Sequence, residues 1–169
     1  MRKPPDRAHP PTDLLIKGLN DREPGLRPRA ARCLGGLKGA EAARAVEPLI
    51  AATRDEEEMV RRSALWGLWP IADPRARDAI LAALKDAEPD VRIAATQVLG
   101  AIKDAKFTEP VKGMLKDPNQ YVRLEAVRAL ALLNPPDLSK CLQPLLKDED
   151  STVRHWASYV LEEAARRAK

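Results

Sequence analysis

Apolar residues along the chain fall into short stripes at helical spacing, and the stripes come in pairs. In each pair a short run, such as Leu14 and Leu15 with Leu19, leads through a polar segment into a longer stripe. Apolar positions of the longer stripe are separated by four, four and three residues, which places them on one face of a helix. The pattern predicts five pairs of helices, a first helix (A) and a second helix (B) joined by a turn. The predicted bounds are 13–20, 24–37, 43–54, 58–71, 75–85, 89–102, 108–116, 119–133, 138–147 and 151–167.

The turn between A and B carries a repeated signature. An aspartate begins it, an arginine follows six residues later, and alanine and leucine follow the arginine by three and seven residues. The aspartates are separated by 34, 31, 31 and 31 residues. Because neither helix of a pair can bury its stripe alone, the pairs are expected to stack on one another. The two polar columns are Asp21, Asp55, Asp86, Asp117 and Asp148, and Arg27, Arg61, Arg92, Arg123 and Arg154.

The repeats predict one domain over residues 13–169, divided at about 13–42, 43–74, 75–106, 107–136 and 137–169. Residues 1–12 carry charge and proline without an apolar stripe, and we expect a disordered basic tail there. Two irregularities stand out. Repeat 1 has three additional residues around 39–42, and Pro144 falls inside the last A helix, which it should bend.

Composition narrows the class of protein. The chain is 44% apolar and 4% aromatic, and it has no apolar run long enough for a transmembrane helix. Two cysteines do not form a disulfide framework, so we expect a reducing, cytoplasmic location. The net charge of +4 is uneven, since residues 1–45 contain ten Lys and Arg against five Asp and Glu. A nucleic-acid-binding protein more usually carries basic residues along one whole face, so the charge does not favour that class.

The Asp-x5-Arg-x2-Ala-x3-Leu columns resemble the HEAT-repeat family, in particular its short bacterial form, the phycobilisome-lyase-type repeats. The resemblance covers about residues 13–165 and implies a right-handed α-solenoid of five two-helix repeats, with the B helices along a concave face. It also implies an internal ladder in which each column arginine bridges aspartates at the turns. Equal numbers and fixed spacing favour this structural role over phosphate binding, and the planar guanidinium suits a carboxylate partner.

Positions +1, +5 and +8 from the column arginine share the face of the B helix that lies away from the core stripe. This face contains Trp, Tyr and Arg, which are typical of protein-binding hot spots. The alternative for Trp66 and Trp69 is packing between repeats, with Pro70 turning a ring inward. Trp156, at +2, is expected to pack between the last repeats. The candidate partner-binding residues are Arg32, Arg62, Trp66, Trp69, Ile93, Gln97, Leu124, Arg128, His155 and Tyr159.

The sequence presents no catalytic constellation. It lacks a nucleophile–base set, a phosphate loop and a metal-ligand spacing, and its two histidines and two cysteines lie far apart. HEAT-type hydroxylases carry paired His-Glu dipeptides as iron ligands, and this chain has none. Cys33, in a half-buried position, and Cys141 are expected to be structural. No catalytic residue, cofactor or metal is predicted.

These features favour a non-enzymatic scaffold, monomeric on its own, that binds a helix or segment of another protein on the concave face. Three other interpretations stay open. One is a nucleic-acid-binding HEAT-like protein, although no unpaired aspartate lies beside the groove arginines as in HEAT-like glycosylases. The second is a bilin lyase-like chaperone subunit, and the third is a designed repeat scaffold. A membrane partner is not expected.

Overall fold

The computed structural model describes residues 11–23 and 25–167. In this part of the chain the regular elements are ten α-helices and four 3₁₀ segments, with no strand. The helices are α1 (Thr12–Gly18), α2 (Leu26–Gly35), α3 (Gly39–Ala52), α4 (Glu58–Leu68), α5 (Arg77–Ala83), α6 (Pro89–Ile102), α7 (Thr108–Gly113), α8 (Gln120–Leu133), α9 (Leu138–Leu142) and α10 (Ser151–Arg167). The predicted all-α class with ten helices is confirmed, and α2, α4, α6, α8 and α10 are the B helices.

Helix ends differ from the predicted bounds where a local conformation stops the helix. Pro144 does not bend a long A helix, because α9 ends at Leu142 and a 3₁₀ segment, Gln143–Lys147, takes its place. Helix α4 ends at Leu68, three residues before the predicted end at 71, and Pro70 lies just beyond that end. Helices α6 and α8 end on Lys103 and Asn134, which both have positive φ and adopt the left-handed conformation that closes many helices.

The predicted tail lies outside the described residues except for its last two positions. Of these, Thr12 is not part of a tail, because it is buried and is the first residue of α1. The helices form two compact units. Unit 1 ends at Ala76 and contains α1–α4, and unit 2 begins at Arg77 and contains α5–α10. The boundary is close to the predicted border between the second and third repeats.

In unit 1 the two B helices approach each other through glycine. A Cβ added to Gly35 of α2 would lie 2.6 Å from Cα of Gly67 in α4, and one added to Gly67 would lie 2.7 Å from the carbonyl oxygen of Ala31. No side chain fits at such separations, so the backbones can approach only because both positions lack a Cβ. Leu34 and Leu65 are fully buried beside this crossing.

Unit 2 has a similar crossing between α6 and α8, with alanine opposite the glycine. A Cβ on Gly100 of α6 would lie 2.7 Å from Cβ of Ala129 in α8. Around it the apolar stripes of A and B helices form a core that includes Leu99, Val111 and Leu130, all fully buried. The alanine of each repeat signature is buried as well, which lets the A and B helices of a pair pack closely.

Candidate functional site

Each repeated aspartate shapes its own turn. Its Oδ1 accepts a hydrogen bond of 2.8–2.9 Å from the backbone N–H two residues later, as in an Asx turn. The arginine six residues on donates from Nη1 to the backbone carbonyl of the same aspartate, at 2.7–3.3 Å. This pattern occurs in all five repeats. The fixed spacing of six residues is therefore the span that one arginine needs to close its own turn.

In unit 2 the arginine also binds the aspartate side chain of the following repeat. Arg92 donates from Nε and Nη2 to the two carboxylate oxygens of Asp117, at 2.7 and 2.9 Å. Arg123 binds Asp148 in the same two-bond manner, with both distances 2.8 Å. These side chains are almost completely buried. Both guanidinium groups are occupied on two sides, so they are not available to an external anion.

Unit 1 has a less complete version of this pairing. Arg27 donates one hydrogen bond of 3.0 Å to Asp55 and has a longer contact of 3.5 Å with Glu56. Its Nε is buried without a hydrogen-bond partner among the described residues. Two arginines contribute to the turns through their backbone bonds: Arg61 donates to the carbonyls of residues 55 and 56, and Arg154 to those of residues 148 and 149.

The pairing changes the acidity of the aspartates in unit 2. Hydrogen bonds from Arg123 hold the pKa of Asp148 below its ordinary value, although burial opposes the shift. For Asp117 burial is the largest influence and would raise the pKa, but the hydrogen bonds from Arg92 and the Asn119 N–H together outweigh it, so the pKa is lowered. Both carboxylates therefore stay charged down to unusually low pH.

Aromatic side chains form an exposed patch on unit 1. Trp66 and Trp69 are 37% and 41% exposed, and their rings pack edge to face with centroids 6.0 Å apart. Neither ring is turned into the core, although Pro70 follows. On the same face of α4, Met59 is 48% exposed and its sulfur lies 3.1 Å from Nη2 of Arg62. Arg32, on the neighbouring helix α2, is exposed.

A cavity of about 660 Å³ lies between α2 and the first residues of α4, beside this patch. Its lining includes Arg29, Arg32, Cys33, Glu57 and Met59. We call the set Arg29, Arg32, Met59, Arg62, Trp66 and Trp69 the α2–α4 surface. Cys33 was expected to be half-buried and is instead exposed, on the part of α2 that lines this cavity.

Unit 2 has an aromatic patch of its own, on α8 and α10. The guanidinium carbon of Arg128 lies 4.8 Å from the ring centroid of Trp156, and Trp156 packs edge to face with Tyr159 at 5.6 Å. Arg128 also lies 3.8 Å from a carboxylate oxygen of Glu125. Trp156 is half-buried beneath this arginine, and Tyr159 is 49% exposed. The cation here is engaged within the fold.

The remaining candidates in unit 2 have mixed exposure. Ile93, Gln97 and Leu124 are partly buried, and His155 is exposed. The expectation that position +8 belongs to the open face is wrong at Gly35 and Gly100, which are buried against the next B helix. A glycine there is needed for close helix packing and is not a sign of a binding surface.

The exposed apolar residues on B helices that sequence reasoning missed include Met59, Tyr121 and Leu132. Met59 and Tyr121 lie two residues before the column arginine, and Leu132 lies nine after it. All three continue the face defined by +1 and +5 by about one helical turn in either direction. Extending the helical face beyond the residues first chosen would have found them. We call Tyr121, Leu124, Arg128, Leu132, Trp156 and Tyr159 the α8–α10 surface.

A third polar cluster lies between α7 and α9. Lys112 donates hydrogen bonds of 2.7 Å to both Glu109 and Asp137, and these bonds raise its pKa. Burial, followed by a hydrogen bond with Asp137, raises the pKa of the Cys141 thiol. A thiol with a raised pKa is a poor nucleophile at neutral pH.

Neither a metal-binding cluster nor a membrane-crossing helix occurs in the described part of the chain. No group of three His, Cys, Asp or Glu side chains in residues 11–23 and 25–167 is arranged to hold a metal ion. Over the same ranges, no helix combines the length and the apolar character that crossing a membrane requires.

Several solved structures are similar to most of this chain. The complex of CpcE and CpcF of phycocyanin lyase from Nostoc sp. PCC7120 matches with a TM-score of 0.74 and 25% identity, over 96% of this chain and 70% of that chain. YibA from Escherichia coli matches with a TM-score of 0.74 and 24% identity, over 89% of this chain. The alignment spans only 58% of YibA. A designed armadillo repeat protein in complex with the peptide (KR)4 matches with a TM-score of 0.64 and 20% identity, over 88% and 79% of the two chains.

Sequence comparison agrees with these structural relatives. No match is found among curated proteins. The family described as HEAT repeats matches residues 46–117 and again residues 107–167, which together extend over most of the chain. With its paired helices and its repeated Asp and Arg columns, this all-α chain of the solenoid class belongs to the HEAT-repeat family.

Proposed function

We propose that this chain is a non-enzymatic interaction scaffold that binds a segment of another protein on the exposed faces of its B helices. The observation that carries the proposal is the exposed Trp66–Trp69 pair. Large aromatic side chains on the surface of a stable helix are typical of binding hot spots, where burial of one ring contributes on the order of 2 kcal/mol. No catalytic residue and no cofactor belongs to this proposal.

The α2–α4 surface is suited to binding because it is already formed. The two indole rings hold each other edge to face, and α4 is packed on α2 through the glycine crossing. A partner therefore has little side-chain freedom to remove when it covers the rings, and ordering costs are a main opponent of affinity. The partner itself is expected to be a helix or an extended segment, which becomes ordered on contact.

Two structural relatives support a binding role. One is a complex of two protein chains, CpcE and CpcF, and the other holds a peptide. The α8–α10 surface of unit 2 offers a second patch with Tyr121, Leu132 and Tyr159 exposed. We propose that each surface contributes to partner binding, with the candidates Ile93, Gln97 and His155 at the periphery of the one on unit 2.

The test is affinity capture from a lysate, with the bound proteins identified by mass spectrometry. We expect the wild type to retain a specific protein that the Trp66→Ala/Trp69→Ala variant loses. Leu14→Ala is the matched control, since Leu14 is an exposed apolar residue of unit 1 that lies outside the α2–α4 surface. Tyr121→Ala/Tyr159→Ala tests the other surface separately.

Two results would contradict the scaffold proposal. If the retained material is the same from all variants whose circular dichroism stays helical, the aromatic patches do not bind the partner. If nuclease treatment removes the material, the ligand is nucleic acid. The chain is then a nucleic-acid-binding HEAT-like protein, one of the interpretations left open by the sequence.

A second candidate function has one specific observation in its favour. The structure of the phycocyanin lyase complex aligns with 96% of this chain at 25% identity. A lyase-like subunit would transfer a bilin to an apo-phycobiliprotein together with a partner subunit. Transfer followed by absorbance, with and without this chain, tests the candidate. No change in the rate or the extent of attachment would exclude it.

A further inference from the structure

Two exposed cations distinguish the α2–α4 surface. Arg29 and Arg32, one turn apart on α2, are exposed and form no ion pair or hydrogen bond with any residue in the described ranges 11–23 and 25–167. By contrast, Arg27, Arg44 and Arg75 of the same unit are all paired with carboxylates. The two unpaired guanidinium groups are therefore free to bind an anionic group from outside the chain.

These cations lie beside apolar surface that includes one carboxylate, Glu57. Arg29 and Arg32 line the cavity of about 660 Å³ together with Pro28, Cys33 and Met59. On the same face of α4, Arg62 lies about one helical turn after Met59, and Trp66 lies about two turns after it. An approaching ligand thus meets two charged groups at one side and a thioether and two indole rings at the other.

From this geometry we infer that the α2–α4 surface binds an acidic segment of a partner protein, in which carboxylates flank an aromatic or aliphatic residue. The inference rests on the proposed scaffold function and specifies its partner. The carboxylates pair with Arg29 and Arg32, since guanidinium binds carboxylate through two parallel hydrogen bonds. The apolar residue enters the cavity beside Met59 or packs on the exposed ring of Trp66.

The charge distribution favours a peptide over a nucleic acid. Glu57 lines the same cavity as the two arginines, and a carboxylate there repels the closely spaced phosphates of a nucleic acid strand. Binding of nucleic acid usually uses many cations along the strand, whereas this surface has two unpaired arginines. An alternating segment of carboxylates and apolar residues can place its charges near Arg29 and Arg32 and keep an apolar side chain near Glu57.

The experiment measures binding of three labelled probes to the full chain by fluorescence anisotropy. The first is a short synthetic peptide in which Glu alternates with Leu and Phe. The second has Lys in place of every Glu, and the third is a single-stranded oligodeoxynucleotide with the same number of negative charges as the first. We expect the acidic peptide to bind and the other two to bind at least roughly tenfold more weakly. The lysine peptide is repelled by Arg29 and Arg32. The oligonucleotide places phosphates against Glu57 and has no apolar side chain for the surface beside Met59.

Variants locate the site. Reversal of both charges, Arg29→Glu/Arg32→Glu, should weaken binding of the acidic peptide by at least roughly tenfold. Arg22→Glu/Arg54→Glu is the matched control, because it changes the net charge of unit 1 equally at two exposed arginines outside the cavity lining. It should leave the affinity within about threefold of wild type, because neither residue lines the cavity and exposed charges that do not contact the ligand are screened by salt. Trp66→Ala/Trp69→Ala should weaken binding by about 30-fold.

Each outcome has a defined meaning. Equal losses in the two charge-reversal variants, or equal affinity for the acidic and lysine peptides, overturn the inference. Binding of the oligonucleotide that depends on Arg29 and Arg32 overturns it as well, in favour of nucleic acid. If lysate capture depends on the tryptophans but not on these arginines, the scaffold function stands and the acidic partner is wrong. If it depends on neither, both proposals fail.

Discussion

The arginines of the ladder have the same place in every repeat, yet unit 1 and unit 2 use them differently. In unit 2, Arg92 and Arg123 each hold the next aspartate with two short hydrogen bonds. In unit 1, Arg27 makes one such bond, and its Nε has no partner among the described residues. The difference coincides with a spacing of 34 residues in unit 1 and 31 in unit 2, and with the longer A helix α3. The two-bond pairing of Arg92 and Arg123 thus accompanies the 31-residue spacing.

Arginines on the surface of the two units differ in the same direction. In unit 2, Arg128 lies over the ring of Trp156 and near Glu125, so its charge is used within the fold. In unit 1, Arg29 and Arg32 have no partner within the described part of the chain and lie beside a cavity. Arg128 is therefore engaged within the fold, whereas Arg29 and Arg32 are not. Internal pairing contributes to stability, and unpaired exposed cations are available for binding.

The largest expected effect comes from breaking the ladder in unit 2. Arg123→Met leaves the buried carboxylate of Asp148 without its partner, which should lower the free energy of unfolding by about 3–5 kcal/mol. Arg27→Met should cost about 1–2 kcal/mol less, because Arg27 makes fewer hydrogen bonds. Urea denaturation followed by circular dichroism measures both. Equal losses would contradict the comparison, and Arg123→Met/Asp148→Asn should recover part of the lost stability.

The next effect concerns the helix crossings. Gly35→Ala forces a Cβ against the backbone of Gly67, and Gly100→Ala forces one against Ala129. Each should destabilise by about 1–3 kcal/mol, the usual cost of overpacking. The two variants should be similarly harmful, because the added Cβ meets the backbone of Gly67 in one and the Cα and methyl group of Ala129 in the other, and neither neighbour can rotate away. Gly113→Ala is the control, since nothing lies within 4 Å of its added Cβ. A harmless Gly35→Ala in thermal unfolding would show that the helices separate easily.

A pH titration gives a smaller effect of defined sign. The pKa values of Asp117 and Asp148 are lowered in the folded chain. Their stabilising contribution is therefore complete above the ordinary aspartate pKa of about 3.9 and is lost as the pH falls through the lowered values. Denaturation midpoints measured from pH 6 downward should decrease in the acid range. Asp148→Asn should flatten that decrease, and an unchanged slope would argue against the paired state.

The smallest effect separates the two kinds of surface arginine. Arg128→Ala removes a cation from the face of Trp156 and should cost about 0.5–1 kcal/mol. Arg32→Ala removes a side chain without a described partner, and its effect on unfolding should stay within about 0.5 kcal/mol. Chemical denaturation of both variants under identical conditions makes the comparison. A larger loss for Arg32→Ala would show that this residue has a structural role, which would weaken its assignment to partner binding.

Much of the fold follows from the sequence alone, because its determinants are local. Five aspartates at the turns and apolar stripes at helical spacing are enough to predict the ten helices. Helix ends were less predictable where a single residue decided them, as at Pro144, which is the second residue of a 3₁₀ segment, and at Lys103, which adopts positive φ without being glycine. The aromatic and basic residues of the candidate surfaces could be selected from composition and helical face.

Only the tertiary structure decided which partner each of these residues meets. The spacing of Asp and Arg does not reveal that Arg123 closes its own turn through a backbone carbonyl and binds the carboxylate of the next repeat. Nor does it reveal that position +8 is buried at Gly35, since that depends on how closely the next helix approaches. Helical periodicity determines which residues share a face. What covers that face depends on packing between repeats. On α2 this packing buries Gly35 and leaves the side chains of Arg29 and Arg32 exposed.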